Sequence, residues 1–246
     1  MGKIVAIGGG EMAEGETLLF DRRIIELTGK SRPRALFIPT ASADASEYQD
    51  IVQRVYGGDL DCEVEMLLLL ADRPSTEAIA ARIAAADLIY VGGGNTLRMM
   101  KLWRKLGVDA LLEQAFHRGT VLSGISAGAI CWCAYGHSDS RSFAATDDRW
   151  DYIRVRGMGL VDAIFCPHLD EDTRRPDFTR FMGKYGQMGI GLENHCALEI
   201  VDDQYRLLTA RKGAQAYRIY RQRGTMITET IEQHEDYRPL DELLKK

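Results

Sequence analysis

The run Val121-Leu122-Ser123-Gly124-Ile125-Ser126-Ala127-Gly128-Ala129 carries an apolar strand into Gly-x-Ser-x-Gly and on into a helix-compatible stretch over 127–134. Glycines flank a serine in this way when the chain turns sharply from strand to helix and leaves no room for Cβ atoms. Such a turn lifts the hydroxyl out of the sheet. The helix start behind it offers amide donors and a positive dipole end to a developing oxyanion. Ser126 is therefore the candidate nucleophile. The bland alternative is a plain helix start with Ser126 as its cap.

A second strand-to-glycine junction stands at Leu88-Ile89-Tyr90-Val91-Gly92-Gly93-Gly94-Asn95-Thr96. Ligands of open α/β sheets bind beyond the carboxyl ends of strands, and three glycines leave backbone amides uncovered for an anion or oxyanion. The alternative is a tight turn into a helix capped by Asn95 or Thr96. The opening Gly8-Gly9-Gly10-Glu11-Met12-Ala13 formally matches the dinucleotide fingerprint Gly-x-Gly-x-x-Ala. That fingerprint needs an acid at the end of the second strand for the ribose. The chain reads Phe37-Ile38-Pro39-Thr40-Ala41-Ser42 there, so no nucleotide cofactor is expected.

A serine nucleophile needs a base, and the chain has five histidines. His117 ends a helix pattern, His234 lies in a polar tail, His137 follows the serine helix and His195 precedes a strand. His168 closes the apolar run Ala163-Ile164-Phe165-Cys166-Pro167 and opens the acidic loop Leu169-Asp170-Glu171-Asp172. A strand end in a parallel sheet is the rim where a catalytic base belongs, and His168 is the expected base. Glu193, in Gly189-Ile190-Gly191-Leu192-Glu193-Asn194, is a charge set in an apolar, glycine-rich stretch. Carboxylates in such settings are costly unless paired. Glu193 is accordingly the expected partner of His168.

The elements that must hold these residues follow from periodicity. Short, almost continuously apolar runs at 3–7, 35–38, 64–69, 88–91 and 121–123 read as parallel strands buried on both faces. Helical patterns at 16–27, 48–55, 75–85, 96–106 and 108–118 lie between them. This alternation predicts a mostly parallel α/β sheet with helices on both faces. After about residue 160, β runs at 197–201, 204–208, 216–220 and 225–230 with turn signals at Asp202-Asp203 and Arg223-Gly224 predict an antiparallel C-terminal extension of the same sheet. One domain over 1–246 is expected.

Composition narrows the function classes. Lys and Arg number 31 against 36 Asp and Glu, a net charge of −5, with 46% hydrophobic residues. The cations are dispersed apart from Arg218, Arg221 and Arg223, which read as a solvated strand edge, so no nucleic-acid partner is expected. No apolar run approaches the roughly 18–20 residues of a membrane span, and the N-terminus lacks a signal-peptide pattern. The five cysteines, an odd number, fit reduced thiols in the cytoplasm. Cys131, Cys133 and His137 lack zinc-ligand spacing, and no metal is expected.

Taken together, Val91-Gly92-Gly93-Gly94-Asn95-Thr96, Gly124-Ile125-Ser126-Ala127-Gly128-Ala129, Pro167-His168 and Gly191-Leu192-Glu193 resemble, in order and spacing, the peptidase E / cyanophycinase family of serine peptidases. The resemblance implies a flavodoxin-like fold related to class I glutamine amidotransferases. It implies a metal-free Ser-His-Glu triad of Ser126, His168 and Glu193, and an oxyanion hole from Gly93 or Gly94 with the Ala127 amide. Registering the chain on Ala197-Leu198 puts Asn194 in the glutamate's place, in which case the triad ends in an amide. The resemblance also places Asn95, Thr96 and Arg174 at the substrate, Arg174 through the segment Asp172-Thr173-Arg174 that is similar to one recognising aspartate in aspartyl dipeptidases. The implied activity is hydrolysis of small peptides, dipeptidase E-like, through an acyl-enzyme. Cyanophycinase-like isopeptide or amide hydrolysis is the alternative, and a noncatalytic ligand-binding module with a degraded triad is another. A small peptide is the expected partner, and a homodimer is left open.

Overall fold

The computed structural model describes residues 2–142 and 151–246. Five parallel strands form the centre of the first sheet: β1 (Lys3–Ile7), β2 (Arg34–Ile38), β3 (Glu63–Met66), β4 (Leu88–Val91) and β5 (Val121–Ile125). Their spatial order is β1-β5-β4-β2-β3, with β5 hydrogen-bonded to both β1 and β4. Strands β2 to β5 thus follow the flavodoxin-like order 2-1-3-4, and the chain's first strand takes the fifth place.

Helices cover both faces, as the alternation predicts. On one face α1 (Leu18–Thr28) lays Phe20, Ile24 and Leu27 against Val5, Ile7, Phe37 and Tyr90. Helix α2 (Ser46–Val52), which continues in wider turns through 53–59, closes the same side with Val52, Val55 and Tyr56. On the other face lie α3 (Thr76–Ala85), α4 (Thr96–Leu106) and α5 (Val108–His117). Their Ile79, Ile83, Met100, Trp103 and Leu112 pack on Leu36, Ile89, Val91 and Leu122. Ser75 caps α3 by accepting the Ala78 amide, and Asn95 caps α4 by accepting the Arg98 amide.

The C-terminal third departs from expectation. Strands β10 (Cys196–Val201), β11 (Gln204–Thr209) and β14 (Arg238–Pro239) do extend the first sheet antiparallel, through β10 on β1. Strands β12 (Ala216–Gln222) and β13 (Thr225–Thr230) do not. They belong to a second, six-stranded sheet ordered β13-β12-β9-β8-β6-β7, with β6 (Cys133–Ser138), β7 (Ile153–Arg156), β8 (Val161–Cys166) and β9 (Met188–Leu192). The helix expected over 127–134 stops early: α6 is Ala127–Ile130, and buried Cys131 and Trp132 lead directly into β6.

The second sheet shares the core of the α3–α5 side through Phe165, Ile190, Ala216 and Tyr220. Its outer face is covered by α7 (Arg174–Met182), whose Phe178 and Met182 meet Ile164, Cys166 and Ile219. A short α8 (Leu240–Leu244) ends the chain. All five cysteines are unpaired and buried. Burial pushes the thiols of Cys133, Cys166 and Cys196 up to about 12, the inert state expected of core cysteines. Among the described residues no helix is long and apolar enough to cross a membrane.

Candidate active site

The carboxyl ends of β1, β4 and β5 converge, and β8 of the second sheet ends beside them. Ser126 follows β5 with φ 54° and ψ −110°, a conformation that costs a non-glycine residue on the order of 1–3 kcal/mol. Its neighbours explain why the chain accepts it. A Cβ on Gly124 would come within 2.6 Å of the Gly128 oxygen and 2.7 Å of the Val91 oxygen. One on Gly128 would stand 2.9 Å from Val91 Cβ and closer still to its carbonyl. The two glycines of Gly-x-Ser-x-Gly therefore let β5 and α6 press on the end of β4, and the serine between them is forced out of the sheet.

The continuation of β1 is the template that receives the site. The Ile7 oxygen accepts the Ser126 amide at 3.1 Å, the Gly8 oxygen accepts the His168 amide at 3.2 Å, and the Gly9 oxygen accepts the His195 amide at 2.9 Å. Ile7 and the two glycines that follow it thus hold three backbone segments around the site. Gly9 also has to remain bare: its Cβ would overlap Asn194 Oδ1 and His168 Nδ1.

Ser126 and His168 line one cavity of about 340 Å³ with Gly10, Glu11, Met12, Ala13, Tyr48, Ile51, Gly93, Gly94 and Ile125. Among the described residues no hydrogen bond joins the serine hydroxyl to the imidazole, and such contacts are commonly loose before substrate binds. The Gly93–Gly94 turn is adjacent, since a Cβ on Gly93 would lie 3.5 Å from Ser126 Cβ. The Ala127 and Gly94 amides donate to no protein acceptor among the described residues. Tyr48 was not legible as a site residue. It comes from α2, its hydroxyl meets the Gly93 amide, and burial holds the phenol well above its ordinary range.

His168 is oriented by Asn194, not by Glu193. Its Nδ1 is 2.8 Å from Asn194 Oδ1. Glu193 faces the other way, accepting from Arg175 Nη2 at 2.5 Å and from the Gln215 amide at 2.9 Å. The two residues stand where β9 gives way to a turn, and their side chains leave it toward different partners, Asn194 toward the histidine and Glu193 toward Arg175.

The profile of peptidase family S51 matches residues 4–208. The chain belongs to peptidase family S51. Among the proteins it is similar to, the uncharacterized peptidase YgaJ of Bacillus subtilis (strain 168) is 35% identical over 225 residues, covering 89% of this chain and 92% of that one. A peptidase from an acI-B1 Actinobacterium superposes with a TM-score of 0.72 over 97% of both chains at 17% identity. A putative peptidase E protein from Listeria monocytogenes EGD-e gives 0.64 over 85% of this chain and 98% of that one, at 21% identity. At such identities the two structures attest the fold.

Within this S51 fold three expected substrate contacts lie off the cavity. Asn95 spends both ends of its amide on structure, accepting from the Arg98 amide at 2.9 Å and donating to the Ser140 oxygen at 3.0 Å. Thr96 is buried and takes the Ser138 hydroxyl at 3.3 Å. Arg174 is 1% exposed. Its Nη1 lies 3.4 Å from Glu171 Oε2 and 3.5 Å from Asp139 Oδ2, and its guanidinium sits over the Tyr152 ring. Arg174 ties the segment after β6 to the one before α7 and is not in the lining of the Ser126 cavity. Beside it, His137 joins Asp177 at 2.8 Å and Cys166 Sγ at 3.5 Å. That Cys-His-Asp grouping is wholly covered at His137 and Cys166 and serves as core.

Proposed function

We propose that this peptidase is of the serine type and hydrolyses small peptides, dipeptidase E-like, with Ser126 as nucleophile and His168 as general base. The observation that carries the reading is the strained Ser126 turn opening into the same cavity as a histidine whose Nδ1 is fixed by Asn194. With Nδ1–H donated to the Asn194 oxygen, the Nε2 lone pair is left to accept the serine proton.

In this reading Ser126 Oγ attacks the scissile carbonyl as its proton passes to His168. The oxyanion is held by the Ala127 amide and an amide of the Gly93–Gly94 turn. His168 then gives the proton to the leaving amine, and the C–N bond breaks to leave an ester on Ser126. Water attacks that ester, again losing a proton to His168, and the peptide acid leaves as Ser126 is regenerated. A cavity of about 340 Å³ with Met12, Tyr48 and Ile51 in its wall suits a peptide of few residues. Glu11, in the same lining, is placed to take a free amino group. The unpaired thiols suit a reducing compartment, and we place the activity in the cytoplasm.

The test is a dipeptide panel assayed with wild type and Ser126→Ala. Turnover of at least one small peptide that the variant loses by several orders of magnitude supports the reading; equal turnover by both refutes it.

A further inference from the structure

The histidine partner is an amide, and an amide has an orientation problem that a carboxylate does not. Turned one way, its oxygen accepts from Nδ1–H and leaves Nε2 as the base. Turned the other way, its NH₂ donates to Nδ1, the ring proton moves to Nε2, and the histidine can no longer take a proton from serine. Something must choose between the two.

Asp170 is bonded to Asn194 twice. Its Oδ1 accepts the Asn194 backbone amide at 2.8 Å and its Oδ2 accepts the side-chain Nδ2 at 3.2 Å. An ionised carboxylate accepts only, so the NH₂ group is drawn to Asp170 and Oδ1 is left facing His168. We propose that Asp170 is the positioning residue of this site: through Asn194 it sets the working tautomer of His168, and it supplies the negative charge that the amide lacks when the imidazole becomes cationic. This rests on the serine-hydrolase reading above.

Among the described residues no other charged group bonds to Asn194. In the loop of His168, Glu171 approaches Arg174 at 3.4 Å. From the β9–β10 turn, Glu193 pairs with Arg175 at 2.5 Å, and His195 stands 3.9 Å from Glu16 of the β1–α1 segment. Glu11, from that segment, lines the cavity. Asp170 is the carboxylate directed onto the partner of Nδ1.

The test combines ring-nitrogen NMR with kinetics. His168 is assigned in ¹⁵N-labelled wild type by comparison with His168→Gln, and the same signals are followed in Asp170→Asn. Wild type is expected to show the Nδ1–H form, and the variant a mixture containing Nε2–H. Turnover of Asp170→Asn is expected to fall roughly 10- to 100-fold, as when an outer partner of a functional histidine is lost, with KM changed by less than about twofold. The acid limb of its kcat/KM profile should move to lower pH, because a nearby negative charge has gone. Asp170→Asn/Asn194→Asp, which moves the charge to the residue bonded directly to His168 Nδ1, should recover most of the loss. Unchanged ring signals with unchanged turnover in Asp170→Asn overturn the proposal, as does a folded double variant no more active than the single one. Labelling of wild type by a fluorophosphonate reports separately on the hydrolase reading, since the ring signals need no catalysis.

Discussion

The Oδ1 atom of Asn194 occupies the place where a Cβ on Gly9 would stand. The first strand's glycine exit and the turn after β9, remote in sequence, are therefore fitted to one another around the histidine. Gly9→Ala should displace the His168–Asn194 pair, and misplacements of about 1 Å can cost on the order of 10² in rate. Expected is a loss of that size or more in kcat/KM with the cooperative fold retained, read from steady-state kinetics and thermal unfolding. Near-normal kinetics would mean that the pair does not hold the base.

Asn194 and Glu193 can be ranked by substitution. Asn194→Ala removes the acceptor of His168 Nδ1 and should reduce turnover by roughly 10²-fold or more, toward the ~10⁴ seen when a triad histidine takes the wrong tautomer. Glu193→Gln disturbs a pair with Arg175 and the Gln215 amide and should cost little in turnover. Parallel kcat measurements decide, and the reverse order would contradict the assignment.

Much of this was legible in the sequence, for physical reasons. The apolar runs of β1, β4 and β5 and the glycines around Ser126 fix a strand-to-turn geometry locally, and the strand end before His168 needs no tertiary information. The partner of His168 was harder to read, because Glu193 and Asn194 lie in the turn between β9 and β10, where the local backbone rather than a regular alternation decides which side chain meets the histidine. Glu193 was the more plausible acid by type, while the register on Ala197-Leu198 pointed to Asn194. The second sheet was hidden because β9 is Met188-Gly-Ile-Gly-Leu192, where glycines weaken the strand signal. Gly189 and Gly191 are there because Ile219, Met182 and Leu169 pack too close for a Cβ. Tyr48 and Gly9 act through contacts that exist only once the chain is folded.

Aspartate should not be a preferred N-terminal residue through Arg174. That guanidinium is buried against Asp139, Glu171 and Tyr152, and the described cavity lining carries Glu11 and no cation. Arg174→Met is expected to leave the ratio of kcat/KM for Asp-x and Ala-x dipeptides unchanged. It should lower stability by on the order of 1–3 kcal/mol, because Asp139 and Glu171 lose a buried partner but keep access to water. A ratio that collapses in the variant would return Arg174 to the substrate.

Acid should act on the fold through His137. Burial among aromatic rings lowers its pKa from 6.5 to about 4, against the pull of Asp177. Between those values the unfolded chain binds more protons, so this group's stabilisation, present above about pH 6.5, is lost as pH falls toward 4. Asp21 works in the opposite sense: burial raises it from 3.8 to about 6, so its contribution is present at low pH and lost as pH rises through about 6. Comparing urea unfolding of wild type and His137→Asn at pH 7 and 4.5 isolates the histidine, because Asp21 contributes to both proteins. Wild type should lose on the order of 2 kcal/mol more on acidification than His137→Asn, and equal losses would contradict the assignment.

The central claim is that Ser126 is an activated nucleophile served by His168. The most direct measurement is reaction of the intact protein with a fluorophosphonate, followed by mass spectrometry of the peptide that carries Ser126. Modification at Ser126 alone, lost in Ser126→Ala and slowed by orders of magnitude in His168→Ala, is the result expected. Absence of labelling in the folded wild type, or labelling at the same rate without His168, would contradict it.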